Sequence, residues 1–129
     1  VMEYIQGERL KDIFDDLKNR KEICIKIGNS IAKLHDANIV HGDLTTSNMI
    51  LKNNEVYFID FGLGYMSIKA EDKAVDIHLM HQAIDSKHYK NSEESFNYIL
   101  QGYSISKNAK EVLERLKKVE SRGRYKSRL

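Results

Sequence analysis

Between Val40 and Gly62 the chain reads V-H-G-D-L-T-T-S-N-M-I-L, then K-N-N-E, then V-Y-F-I-D-F-G. Three oxygen-bearing side chains stand out in it: Asp43, Asn48 five positions later, and Asp60 at the end of the second apolar run. Moving a phosphoryl group from ATP requires a carboxylate beside the attacking oxygen, and hard oxygen ligands for the Mg²⁺ that bridges the phosphates. Asp43 fits the first role, orienting or deprotonating the acceptor, and Asn48 and Asp60 fit the second. Alone, D-F-G reads as a strand that ends in a turn, and an Asp-to-Asn spacing means little. It is the occurrence of both in order, joined by a short apolar hairpin, that points to a phosphoryl-transfer centre.

Those side chains need a frame. Lys52 to Glu55 separates the apolar runs Met49–Leu51 and Val56–Ile59, and Asn53-Asn54 tolerates the left-handed angles of a tight turn, so a β-hairpin is expected there. It would bring the polar run His41–Asn48 and Asp60-Phe61-Gly62 to one end. Before it, residues 21–37 place Ile23, Ile27, Ile31 and Leu34 on one helical stripe, with Cys24, Gly28 and His35 beside it. Gly28 costs about 1 kcal/mol against Ala inside a helix, which suggests close packing on a neighbour. A shorter helix is expected from Glu8 on Leu10, Ile13, Phe14 and Leu17, and another over residues 71–86 on Val75, Leu79, Met80 and Ala83. Ser92 can cap a helix through Phe96, Ile99 and Leu100, and Ser106 a last one with Val112, Leu116 and Val119 on one face. The expected fold class is mainly α around one small β-hairpin.

Length and composition set the outer limits. A chain of 129 residues, 41% hydrophobic and 31% charged, suits one soluble domain with a core of its own. Its start, Val-Met-Glu-Tyr-Ile, reads as the interior of a longer fold. No apolar run reaches the ~18 residues of a membrane span, and no leader pattern is present, so a cytoplasmic protein without membrane contact is expected. The single Cys24 excludes a disulfide framework and reads as a small buried hydrophobe. Charge is divided unevenly: residues 1–102 hold 12 Lys/Arg against 16 Asp/Glu, and residues 103–129 hold 9 against 3. The basic end is where a polyanion would bind.

H-G-D-L-T-T-S-N at 41–48, followed by I-D-F-G-L-G at 59–64, resembles the PRPK-like atypical kinases of the KEOPS complex, and the likeness runs through the whole chain as a kinase C-terminal lobe. On that resemblance residues 1–129 are one lobe, with 1–5 the hinge, 40–62 the catalytic loop, hairpin and D-F-G, and 120–129 a basic tail; the N-lobe is not represented. The resemblance implies ATP and Mg²⁺ as cofactors, with the Glu3 carbonyl and Ile5 amide bonding adenine and Ile50 packing beneath it. It implies that Asp76, in K-A-V-D, accepts backbone hydrogen bonds from the catalytic loop. It further implies work on tRNA threonylcarbamoyladenosine beside a threonylcarbamoyl-transferase subunit and other KEOPS subunits, with Arg122, Arg124, Lys126 and Arg128 in a position to meet tRNA phosphates. The same cations could also just solvate a helix end. A lobe without its phosphate clamp is expected to bind ATP poorly and turn over little.

Departures from regulated peptide kinases narrow this. Gly42 stands where those enzymes have an Arg that holds a phosphorylated loop, Thr45 replaces a phosphate-directed lysine, and only 15 residues separate Asp60 from Asp76. ATP hydrolysis, or phosphorylation of a bound partner, is therefore expected over peptide selection. Two other readings stand beside it: a small-molecule kinase of the aminoglycoside or choline type, which also uses H-G-D, and a non-catalytic docking module. His41 is expected to pack on Phe61, with a base role as the alternative. His78 and His81, three apart on a helix, could ligate a metal, but no carboxylate or Cys cluster accompanies them in sequence, so a surface or core pair is expected.

Overall fold

The computed structural model describes residues 7–128, with side chains described through residue 122. Glu3 and Ile5, expected to form the hinge, lie outside the described residues. Elements follow in the order β1 (Glu8–Arg9), α1 (Leu10–Ile13) with a 3-10 turn over Phe14–Asp16, α2 (Arg20–Asp36) and β2 (Ile39–Val40). A 3-10 turn over Thr46–Asn48 leads into β3 (Met49–Lys52) and β4 (Glu55–Phe58); then come β5 (Tyr65–Met66), α3 (Ala70–Lys87), α4 (Ser92–Tyr103) and α5 (Ala109–Arg128). Among the described residues no helix is long and apolar enough to cross a membrane.

The hairpin forms in the expected register, with Ile50 opposite Tyr57 and Leu51 opposite Val56. Asn53 and Asn54 carry it at φ 51° and 60°, both left-handed as a two-residue turn requires. It is not the only sheet structure. Glu8 and Arg9, expected to open a helix, pair instead with Leu51 and Ile50 and satisfy the outer edge of β3. Ile39 and Val40 pair with Met66 and Tyr65, so the short segment after D-F-G folds back on the strand that enters the catalytic loop.

Helix α2 is the central support. It buries Ile23, Cys24, Ile27, Gly28, Ile31, Ala32 and His35, while Leu34 is only half-buried. Its closest neighbour is α4, and the reason is a pair of glycines. A Cβ on Gly28 would collide with the Ile99 carbonyl, and one on Gly102 with the Ile25 carbonyl, so the two backbones touch directly. After α2, Asn38 turns the chain at φ 61°, the usual way for an Asn to end a helix.

Helix α3 keeps most of the expected face, with Met80 and Ala83 buried and Leu79 half-buried, but Val75 is exposed, and Ala74, Asp76, Ile77 and Ile84 are buried as well. The buried polar partners of Asp76 draw its turn of the helix inward, because periodicity alone gives a carboxylate no inward preference. Ser92 begins α4 but does not cap it; Asn91 at φ 59° does, with its carbonyl accepting from Ser95. Ser106 precedes α5 and accepts weakly from the Asn108 amide while donating to Asp36. Val112, Leu116 and Val119 face inward as expected.

Candidate active site

The polar loop between β2 and β3 is held from below by one buried carboxylate. Asp76, wholly buried on α3, accepts from the His41 amide at Oδ2 (3.0 Å) and from the Gly42 amide at Oδ1 (3.0 Å). His35 of α2 donates its Nε2–H to the same Oδ2 at 2.8 Å, and its Nδ1 accepts from the Tyr103 hydroxyl of α4 at 2.8 Å. Three helices thus converge on the loop through a single buried chain of hydrogen bonds. Each such bond is cheap to keep and costly to leave unmade in a dry interior. Burial pushes the Tyr103 hydroxyl well above its ordinary range, so it remains a donor.

His41 is wholly buried against the rings of Phe61 (4.6 Å) and Phe58 (5.9 Å). Its Nδ1 accepts from the Asp43 amide (3.1 Å), which places the proton on Nε2, donated to the Ile59 carbonyl at 2.9 Å. Both ring nitrogens are engaged within the fold, and the ring packs on Phe61. Gly42 has φ 87°, and a Cβ there would stand 2.5 Å from the Leu63 carbonyl oxygen. The loop therefore has its own steric reason to lack an arginine at this position.

Asp43 and Asn48 are joined directly. The Asn48 amide donates to the Asp43 Oδ2 at 2.9 Å and to the Asp43 carbonyl at 2.9 Å. Asp60 is brought alongside by its neighbours: the Ile59 amide bonds the Asn48 carbonyl (2.9 Å), and Ile59 and Phe61 both meet His41. Asp60 itself is exposed and sits at φ 58°. Ile50 is half-buried on β3, with Gly7 lying against it.

A second clamp was not foreseen from the sequence. His88, just past α3, accepts the Thr46 hydroxyl at Nε2 (2.8 Å) and donates Nδ1–H to Asp15 (3.0 Å), its ring packed on Phe14. Its signal in sequence was weak, because Asp15, Thr46 and His88 belong to three distant segments. Of the basic tail, Arg122 is exposed and paired with Glu71 at 2.6 Å. The side chains of Arg124, Lys126 and Arg128 lie outside the described residues. His78 and His81 do have a carboxylate partner after all, Glu120 of α5.

A family model for the RIO domain matches residues 1–75. The chain is 47% identical to the KEOPS complex subunit Bud32 of Pyrococcus abyssi, covering 99% of this chain and 60% of that protein. It is 39% identical to a probable serine/threonine-protein kinase BUD32 homolog of Archaeoglobus fulgidus, covering 100% and 63%. A probable bifunctional tRNA threonylcarbamoyladenosine biosynthesis protein of Methanobrevibacter smithii is 42% identical over 97% of this chain and 23% of its own length. The chain spans about 60% of the length of the Pyrococcus and Archaeoglobus relatives.

Proposed function

This chain belongs to the RIO-domain family of kinase-like proteins, in its Bud32-like branch, and on that premise we propose that it is the catalytic lobe of an ATP-dependent atypical kinase or ATPase. In that reading it works as a KEOPS subunit beside the threonylcarbamoyl-transferase subunit and supports threonylcarbamoyladenosine formation in tRNA. The observation that carries the reading is the joined pair Asp43–Asn48 with Asp60 tethered beside it through Ile59.

The donor set suits Mg²⁺ and a nucleotide. Asn48 offers an amide oxygen whose direction is set by its own bonds to Asp43, and Asp60 offers an exposed carboxylate; both are hard oxygen ligands. Asn48 and Asp60 would hold Mg²⁺, which would supply positive charge to offset that of the phosphates. Asp43 orients a hydroxyl or water and takes its proton. Its carboxylate is held by Asn48, and its backbone by His41. The Asp76 network keeps this loop in one arrangement, so that little reorganisation is needed at the moment of transfer. Glu3, Ile5 and Ile50 hold the adenine in this proposal. In this proposal Arg122, Arg124, Lys126 and Arg128 meet tRNA phosphates, a reading supported by the surplus of positive charge after residue 103.

The test is ATP hydrolysis by the full-length protein, alone and with its partner subunit and tRNA. Turnover is expected to rise with both and to fall about 10²–10⁴-fold in Asp43→Ala. Unchanged turnover in Asp43→Ala and Asp60→Ala would reject the proposal, and phosphorylated sugars or amines in a substrate screen would redirect it to a small-molecule kinase. Failure of nucleotide to raise the melting temperature would favour a docking module.

A further inference from the structure

Away from the catalytic loop, two histidines one helical turn apart on α3 meet one carboxylate of α5. His78 Nδ1 lies 2.9 Å and His81 Nδ1 2.5 Å from the same oxygen, Glu120 Oε2. All three side chains are mostly covered, at 20%, 17% and 17% exposure, which leaves one narrow open side. The other face of the His81 ring edge is acidic too: Asp85 and Glu93 stand 3.5 and 3.6 Å from Nε2, beyond good hydrogen-bond length, and that buried nitrogen has no hydrogen-bond partner. Three carboxylates thus surround two imidazoles, an arrangement that attracts a further positive charge.

We infer that His78, His81 and Glu120 form a binding site for a divalent transition-metal ion of the zinc class. Two imidazole nitrogens and one carboxylate oxygen are a donor set that such ions take with water as the fourth ligand, and imidazole selects them over Mg²⁺ or Ca²⁺. The three ligand atoms already lie within 4.8 Å of one another. Around a tetrahedral ion with bonds of about 2.1 Å they would stand roughly 3.4 Å apart, so Glu120 has to withdraw by less than about 1 Å. A glutamate side chain makes that shift by rotating its own torsions. His81 is stacked flat on Phe96 at 3.8 Å and 8°, which fixes its plane. With the ion on Nδ1, the His81 proton resides on Nε2 and faces Asp85 and Glu93, the outer-carboxylate support usual for metal-bound histidine. The ion would join α3 to α5 at the base of the basic tail.

The site shares no residue with Asp43, Asn48 and Asp60, so its test is independent of phosphoryl transfer. Zn²⁺ is titrated calorimetrically into the metal-stripped full-length protein, and Co²⁺ is used to read coordination by visible absorption. One ion per chain is expected, with a tetrahedral Co²⁺ spectrum, and with affinity falling at least about tenfold in His78→Gln and in Glu120→Gln. Asp60→Ala should leave zinc binding as it was. His81→Gln also removes the stacking on Phe96, so His78→Gln, checked for native circular dichroism, is the deciding variant. Absence of stoichiometric zinc uptake, or binding that survives His78→Gln, overturns the inference. Asp85→Asn/Glu93→Gln should weaken binding about 10–100-fold through the lost outer support; loss of binding in that variant with full affinity kept in both His78→Gln and Glu120→Gln would overturn the inference, since it would put the ion on the opposite side of His81.

Discussion

Replacing Asp76 by Asn puts an NH₂ where the fold presents only donors. His41 N and His35 Nε2 converge on Oδ2 at 3.0 and 2.8 Å, and Gly42 N meets Oδ1 at 3.0 Å. If the new nitrogen takes the Oδ2 position, His35 can move its proton to Nδ1 and accept, but the buried His41 amide is left facing another donor. If it takes the Oδ1 position, the half-exposed Gly42 amide loses its acceptor and can turn to water instead. The second arrangement is the cheaper one. It removes one bond to a charged acceptor and weakens two more by removing the charge. Bonds to charged groups contribute about 1.5–3 kcal/mol net, with the half-exposed one at the low end, so the loss should be about 2–3 kcal/mol. For a domain of this size that corresponds to a fall in melting temperature of roughly 6–12 °C. Thermal unfolding followed by circular dichroism gives the shift, and hydrogen exchange should show the Gly42 amide losing protection before the His41 amide. A melting temperature within about 2 °C of the parent protein, with both amides still protected, would refute the claim that this carboxylate holds the loop.

Gly28→Ala should destabilise by about 2 kcal/mol or more in urea unfolding, even though Ala is favoured in a helix by about 1 kcal/mol, because the added carbon meets the Ile99 carbonyl rather than a movable side chain. Asn54→Gly should stabilise by about 0.5 kcal/mol in the same assay, since φ 60° costs glycine nothing and the Lys26 bond is to the backbone carbonyl. His88→Leu leaves the buried Thr46 hydroxyl without its partner and should cost about 1–3 kcal/mol, again read by urea unfolding. Burial pushes the Cys24 thiol up to about 11, so the folded protein at pH 8 holds it protonated. Its alkylation should be slow until denaturant is added; fast labelling of the native protein would contradict that burial.

The stretch from Val40 to Gly62 made the hairpin and its two polar ends legible in advance, because turn chemistry and period-2 apolar runs are local properties. The inward faces of α2 and α5 were readable for the same reason: Ile23, Ile27 and Ile31, or Val112, Leu116 and Val119, repeat at the helical period whatever packs on them. The close approach suggested by Gly28 was also local in origin, although its partner Gly102 was not identifiable. What the sequence by itself could not determine were features that depend on which distant groups meet. Periodicity did not turn Asp76 inward, which only the family resemblance implied, and tertiary structure decided that Val75 is exposed, that Ile39–Val40 pairs with Tyr65–Met66, and that His88 reaches Thr46. It also decided that Glu120, 39 positions from His81, sits between two imidazoles that seemed to have no acidic companion. Periodicity reports only whether a side chain tends to leave water. The partner a buried polar group finds there is set by the packing of whole helices.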